Sequence, residues 1–154
     1  RIWSMETLKS VRTLRGHTNY VFCVNYSPEG DRIVSGSFDE NVRLWDVRTG
    51  QCLRTIPAHS DPVSGVCFHR DGGMFVSCSY DGLIRIWEYE SGKLLQSLNG
   101  HDGFVTSLLF CKDYRLLFSG STDGSLIAWN ANGKLLHRMR TGHPIYALTF
   151  NSRR

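Results

Sequence analysis

Tryptophans stand at Trp3, Trp45, Trp87 and Trp129, each 42 residues after the last. His17, His59, His101 and His143 keep the same step, and so do Asp39, Asp81 and Asp123. No bias of composition gives three residue types one shared period, so the chain is built from copies of a single structural unit.

Within a copy, short alternating runs are separated by turn residues, and no amphipathic stretch is long enough for a helix. In the first full copy the predicted strands are 20–26, 32–35, 41–45 and 51–56. They are broken by Pro28-Glu29-Gly30, Phe38-Asp39-Glu40 and Arg48-Thr49-Gly50. The unit is therefore all β, with four strands.

These residues resemble the WD40 family. Gly16-His17 opens a copy and Trp45-Asp46 closes it; Ala58-His59 with Trp87-Glu88 and Gly100-His101 with Trp129-Asn130 follow in register. Only the first copy keeps the literal Trp-Asp pair. The resemblance covers the whole chain and implies an all-β WD40 β-propeller with four-stranded antiparallel blades around a central channel. Repeats fall at about 1–15 (partial), 16–57, 58–99, 100–141 and 142–154 (partial). The last strand of one sequence repeat completes the previous blade, so 8–14 belongs with the blade of Trp3. Complete blades are expected over about 18–56, 60–98 and 102–140. Residues 141–150 read as the first strand of a further blade. Three blades cannot close a ring, so the expectation is a fragment of a longer propeller of about seven blades, with edge-to-edge pairing of two chains as the alternative.

Each copy also carries a His, a Ser and an Asp at fixed offsets: His17, Ser35 and Asp39; His59, Ser77 and Asp81; His101, Ser119 and Asp123. A hydrolytic triad uses the same residue types, but it needs one nucleophile on a strained turn beside an oxyanion hole, and no GxSxG elbow is present. In the family these residues join Trp45, Trp87 and Trp129 in a structural hydrogen-bonded chain. The carboxylate orients one imidazole nitrogen, and the other nitrogen reaches the hydroxyl, which meets the indole N–H. No P-loop, Rossmann glycine pattern or HExxH helix is found, so neither an enzyme nor a cofactor is expected. Family histidines placed one per blade stand too far apart to hold a metal.

Composition bounds the rest. The chain of 154 residues is 41% hydrophobic and 21% charged, as in folded globular domains, and has no run long enough for a membrane helix and no signal-peptide pattern. A nuclear or cytoplasmic location is the expectation. Cys23, Cys52, Cys67, Cys78 and Cys111 form no CxxC pair and read as small buried thiols. The net charge of +4 is spread along the chain, with only Arg153 and Arg154 adjacent, so nothing points to nucleic acid.

Loop residues not fixed by the fold add a narrower resemblance. Asn19-Tyr20-Val21-Phe22-Cys23, the run 34–40, the run 57–64 and Ser79-Tyr80-Asp81-Gly82-Leu83 are similar to the WD-repeat scaffold subunits of histone H3 lysine-4 methyltransferase complexes. From Glu88 onward the likeness fades, and Phe110 to Tyr114 and 131–134 are ordinary repeat material. The last copy is shortened: His143 to Phe150 against His101 to Phe110. The resemblance implies a partner arginine held in the channel between Phe22 and Phe38, with Ser64 and Tyr80 at the channel mouth. A guanidinium is flat and weakly hydrated and stacks on aromatic faces better than an ammonium. Tyr20, Phe22, Phe38, Pro62, Ser64, Tyr80 and Phe104 are expected to converge on one face. The predicted function is a non-catalytic scaffold for proteins or peptides, including an arginine-bearing peptide, within a multiprotein chromatin complex. The alternative is a WD40 adaptor of another complex: a ubiquitin-ligase substrate receptor, or a ciliary or trafficking subunit.

Overall fold

A computed structural model describes residues 1–111 and 115–149. The elements are β1 (Ile2–Trp3), β2 (Ser10–Arg12), β3 (Val21–Tyr26), β4 (Arg32–Ser37), β5 (Asn41–Asp46), β6 (Cys52–Pro57) and β7 (Val63–Phe68). They continue with β8 (Met74–Ser79), β9 (Leu83–Glu88), β10 (Leu94–Asn99), β11 (Val105–Phe110), β12 (Leu116–Ser121), β13 (Ser125–Asn130) and β14 (Leu135–Arg140). The sheets β3-β4-β5-β6, β7-β8-β9-β10 and β11-β12-β13-β14 are antiparallel meanders, and β1 pairs with β2. These are the three complete four-stranded blades that the 42-residue period requires, with a partial one ahead of them.

Two details differ from the sequence reading. The second strand of the first copy runs on through Gly36 and Ser37, where Val21 still pairs with Ser37. The described part of 141–150 forms no strand, since it makes no ladder with any described strand. It is nevertheless tied to the third blade, where the Ile145 amide donates to the Ser121 carbonyl at 3.0 Å. Phe150, Lys112 to Tyr114 and the Arg153-Arg154 pair lie outside the described residues.

The apolar core lies between blades. Val34, Val42, Leu44 and Ile56 of the first blade pack on Val63, Val66, Phe68, Phe75 and Trp87 of the second; Val76, Cys78 and Ile84 then meet Val105, Leu117 and Ile127. Alternation along each strand puts one set of side chains toward each neighbouring blade, so each blade supplies half of two cores. Of the cysteines, Cys78 is buried and Cys52, on an outermost strand, is exposed rather than buried. Desolvation raises the Cys23 and Cys67 thiols to about 12, so they stay protonated at neutral pH.

Polar clasps repeat with the same period. On the outer strands, Arg12 reaches the Arg48 carbonyl at 3.0 Å, Arg54 the Glu90 carbonyl at 2.9 Å and Gln96 the Asn132 carbonyl at 3.1 Å. Each reaching side chain lies along a turn glycine of the next blade with positive φ, Gly50, Gly92 or Gly133. A Cβ on Gly92 would stand 2.5 Å from the Arg54 Cδ, so this turn requires glycine twice over, for its dihedral and for space. On the inner strands the ladder slips by one residue between Val21 and Cys23, between Val63 and Gly65, and between Val105 and Ser107. The residues left unpaired at these bulges are Phe22, Ser64 and Thr106, and a bulge re-aims its side chain.

Candidate functional site: one end of the blades

The His-Ser-Asp sets are expected to be structural hydrogen-bonded chains, and their geometry shows how each hydroxyl and imidazole is used. His17 Nδ1 lies 2.8 Å from Asp39 Oδ2, His17 Nε2 lies 2.7 Å from Ser35 Oγ, and the Trp45 indole donates to the same oxygen at 2.8 Å. The second blade repeats this with His59 to Asp81 at 2.8 Å, His59 to Ser77 at 2.8 Å and Trp87 to Ser77 at 2.9 Å. Because the ionised Asp81 carboxylate can only accept, His59 Nδ1–H donates to it, and the Nε2 of the neutral ring accepts from the Ser77 hydroxyl. Both histidine nitrogens and the hydroxyl hydrogen are thereby committed.

The third blade takes a different path. His101 Nε2 meets Ser119 at 2.7 Å and Trp129 donates to Ser119 at 2.8 Å, but His101 Nδ1 lies 3.5 Å from Asp123 and 2.8 Å from Ser125 Oγ. Ser125 passes the link on to Asp123 at 2.6 Å. The intervening hydroxyl stands at the position of Asn41 and Leu83, a substitution that the three fixed offsets do not report.

The electrostatics fit closed chains. Burial pushes the His59 and His101 imidazoles below their ordinary value, more strongly than Asp81 and Asp123 pull them up. Burial also acts to raise the Asp39 carboxyl, but the amides of Thr18 and Asn41 and the His17 ring outweigh it and hold it at about 2. Asp81 and Asp123 are likewise held well below the usual carboxylate range. A neutral His59 donating to the ionised Asp81 carboxylate follows, with a neutral His101 linked to the ionised Asp123 through the Ser125 hydroxyl.

At the same end of the blades lie the predicted binding residues. Phe22 and Phe38 meet edge to face, 5.8 Å between centroids and 77° between planes. Phe22 also meets Tyr80 at 6.2 Å, and Tyr80 stacks on Phe104 at 4.7 Å and 19°. Four rings from three blades thus form one connected row. Three of them are solvent-facing, with Phe22 at 46%, Phe38 at 43% and Phe104 at 50% exposure, and Tyr80 is half-buried among them; Tyr20 at 77% projects nearby, since its carbonyl accepts from the Phe38 amide.

Pro62 and Ser64 do not join the row. Pro62 is buried, and the Ser64 hydroxyl donates to the carbonyl of Val105 on the next inner strand. Thr106 makes the same reach to the carbonyl of Ile145. Phe22, the equivalent bulge residue of the first blade, has no hydrogen to donate. In its place the Cys23 thiol reaches the Val63 carbonyl at a long 3.7 Å.

This clasp also supplies a register that sequence reasoning missed. Ile145 receives what Val105 receives, so Tyr146, 72% exposed, stands in the fourth copy where Phe22 stands in the first. The shortened last copy hides that match from a fixed period of 42.

Comparison with known proteins agrees with this architecture. The family "WD domain, G-beta repeat" matches residues 8–46, 50–88 and 92–130, each match starting near or on an outermost strand and ending on the third strand of the next blade. The structure titled "Structure of U3-55K" superposes with a TM-score of 0.85 at 29% sequence identity, over 88% of this chain and 44% of that one. Ribosome assembly protein 4 of Saccharomyces cerevisiae is 46% identical over 35 residues, 23% of this chain and 7% of that protein. Apoptotic protease-activating factor 1 of Danio rerio is 37% identical over 43 residues, 28% and 3% of the two chains. Meiotic fizzy-related protein 1 of Schizosaccharomyces pombe is 40% identical over 42 residues, 27% and 10% of the two chains. The chain spans under half of the matched structure and about a tenth or less of the curated relatives. With the matches covering most of its length, the chain belongs to the WD40 repeat family.

Proposed function

We propose that the protein is a non-catalytic scaffold whose row of exposed rings grips an arginine-bearing peptide of a partner protein, in a nuclear or cytoplasmic multiprotein complex such as a chromatin-modifying assembly. One observation carries the reading: Phe22 occupies a bulge position where Ser64 and Thr106 clasp adjacent blades, so an exposed ring stands where the repeat would otherwise place a stitching hydroxyl. A ring that replaces a structural hydrogen bond and remains 46% exposed is explained by a ligand and not by packing. Phe22 and Phe38 lie edge to face at 5.8 Å, so a guanidinium is sandwiched when one ring turns and the pair opens to about 7 Å, twice a stacking distance of about 3.5 Å. The lack of catalysis is supported by the buried His-Ser-Asp chains, whose hydroxyls are held by tryptophan.

The curated relatives support the alternative complex in a limited way. Their names refer to ribosome assembly, apoptotic protease activation and meiosis, so an adaptor role, including a ubiquitin-ligase receptor or a ciliary or trafficking subunit, fits the repeat equally well. Calorimetric titration with matched arginine and lysine peptides tests the arginine reading. The arginine peptide is expected to bind, the lysine peptide to bind about tenfold more weakly, and Phe38→Ala and Phe22→Ser to weaken binding by about 1 to 3 kcal/mol. Phe22→Ser is the sharper variant, because it restores the clasp and should leave thermal stability intact. Equal affinity for both peptides, or indifference to both changes, would leave a generic WD40 adaptor.

A further inference from the structure

The loops at this end of the blades carry a one-sided charge. The segments 16–20, 37–40, 58–62, 79–82, 100–104 and 121–124 contain Asp39, Glu40, Asp61, Asp81, Asp102 and Asp123 and no Lys or Arg, although the whole chain has 18 Lys and Arg against 14 Asp and Glu. Arg43 beside Gly16, Arg85 on Asp81 at 2.9 Å and Arg138 near Asp102 at 3.6 Å reach these loops from the third and outermost strands, so the charge a ligand meets here is set by the carboxylates that stay exposed. Glu40, Asp61 and Asp102 of the set are exposed.

Between the second and third blades these loops border an open, shallow hollow of about 220 Å³, lined by Tyr80, Asp81, Gly82, Asp102, Gly103 and Phe104. The stacked pair Tyr80 and Phe104 forms one wall. The Asp102 carboxylate, its side chain 76% exposed, stands on another. Its loop is fixed in place: the Asp102 amide donates to Asp123 Oδ2 at 2.8 Å, and a Cβ on Gly103 would lie 2.8 Å from Thr122 Oγ1. Carbonyls of His101 and Gly103 lie within 3.8 Å of where a Gly82 side chain would begin, so that corner offers only acceptors. The nearest cation on the Asp102 carboxylate is Arg138 at 3.6 Å, whose other nitrogen bonds the Gly100 carbonyl. Aromatic faces, a fixed carboxylate and backbone carbonyls together recognise a cationic side chain.

We propose that the Tyr80, Phe104 and Asp102 hollow is a second subsite, which takes a Lys or Arg of the same extended peptide whose arginine sits at Phe22 and Phe38. This rests on the arginine reading above. Centroid steps of 6.2 Å from Phe22 to Tyr80 and 4.7 Å from Tyr80 to Phe104, with half of the 5.8 Å between Phe22 and Phe38, limit the separation of the two subsites to about 14 Å. An extended chain advances about 3.3 Å per residue, so the two basic residues stand at most about four positions apart. The ligand class is thus a short basic segment with a fixed spacing, not an acidic or phosphorylated one.

The test uses the purified protein and polar peptides of one length. They carry Arg alone, Arg with Lys two, three or six positions on, or Arg with Glu two positions on. Lys at two or three is expected to tighten binding about fivefold over Arg alone, Lys at six by less than twofold, and Glu to weaken it. In Asp102→Asn and in Asp102→Ala the gain from Lys falls below twofold, while the affinity for Arg alone is unchanged. A gain equal at all spacings, or one that survives both variants, overturns the second subsite and leaves the arginine reading intact. If the peptide with Arg alone fails to bind, or binds Phe22→Ser as well as wild type, both readings fall.

Discussion

Asp81→Ala is the perturbation that best measures the hydrogen-bonded chain of a blade. Asp81 Oδ2 accepts from His59 Nδ1 at 2.8 Å and from Arg85 Nη1 at 2.9 Å, and Oδ1 accepts from the Leu83 amide at 2.9 Å. The carboxylate is 5% exposed and the His59 ring is 0% exposed. Truncation therefore strands an imidazole N–H and an amide N–H away from water, and leaves Arg85 with the Ala58 carbonyl at 2.9 Å as a remaining acceptor. Each stranded buried donor costs about 1 to 3 kcal/mol, and breaking a buried charged contact costs about 3 to 5 kcal/mol in total, so about 3 to 4 kcal/mol is expected. For a chain of this size that lowers Tm by about 10 °C. Scanning calorimetry on Asp81→Ala, with Asp61→Ala as an exposed control, reads the difference. A Tm within about 2 °C of wild type would show that the carboxylate does not hold the blade together, and would reopen a chemical role for the His59, Ser77 and Asp81 set.

Three further outcomes follow from the geometry. Because the His59 and His101 imidazoles are depressed in the fold, the unfolded chain takes up protons first, and stability is lost as pH falls below about 6.5; the depressed Asp39, Asp81 and Asp123 carboxylates add a second loss below about 4. A Tm that stays flat from pH 7 down to pH 3 would contradict both arms. Glu40 has φ 68° where its counterparts are Gly82 and Gly124, so Glu40→Gly should raise Tm by about 2 to 4 °C, and a lower Tm would show that the turn is not strained. Gly30→Ala and Gly92→Ala separate dihedral from space: both have positive φ, but only Gly92 faces a neighbour, so Gly30→Ala should cost about 1 kcal/mol and Gly92→Ala at least twice that, measured by urea denaturation.

Much of the fold was legible because its determinants repeat. The Trp, His and Asp series are set by hydrogen bonds inside one blade, so one period exposes them all. Less legible were contacts between blades, whose residue types change from copy to copy while the geometry is kept. The inner clasp uses a thiol, then Ser64, then Thr106, and the outer clasp uses Arg12, Arg54 and Gln96. Cross-strand pairs behave the same way. Cys23 pairs with Gly36 and Gly65 with Cys78, so the bulk changes strands while the pair keeps its volume. At Gly36 a Cβ would come within 2.5 Å of Val63, which leaves no room for two side chains. The lining of the binding end was partly legible from loop aromatics. The inward turn of Ser64, the burial of Pro62 and the register of Tyr146 all depend on bulges and a shortened repeat that leave no periodic trace.

In a repeat protein a residue that recurs in every copy is accounted for by the fold, so residues that break the pattern are the place to look for function. Breaks alone do not suffice, because some are repaired locally. Ser125 enters the third hydrogen-bonded chain and hands it on to Asp123 at 2.6 Å, and the Cys and Gly exchange preserves packing. Phe22 and Glu40 break the pattern in ways the blade does not require: one gives up a hydroxyl clasp for a thiol contact at 3.7 Å and ring contacts with Phe38 and Tyr80, the other holds a side chain at φ 68°. Both lie at the same end of the same blade, on either side of Phe38, in the segment that carries the exposed rings. Leu8 also holds a positive φ, at 55°, in the partial blade, whereas Phe22 and Glu40 give up stability beside the exposed rings, as expected where a surface is shaped by what it binds.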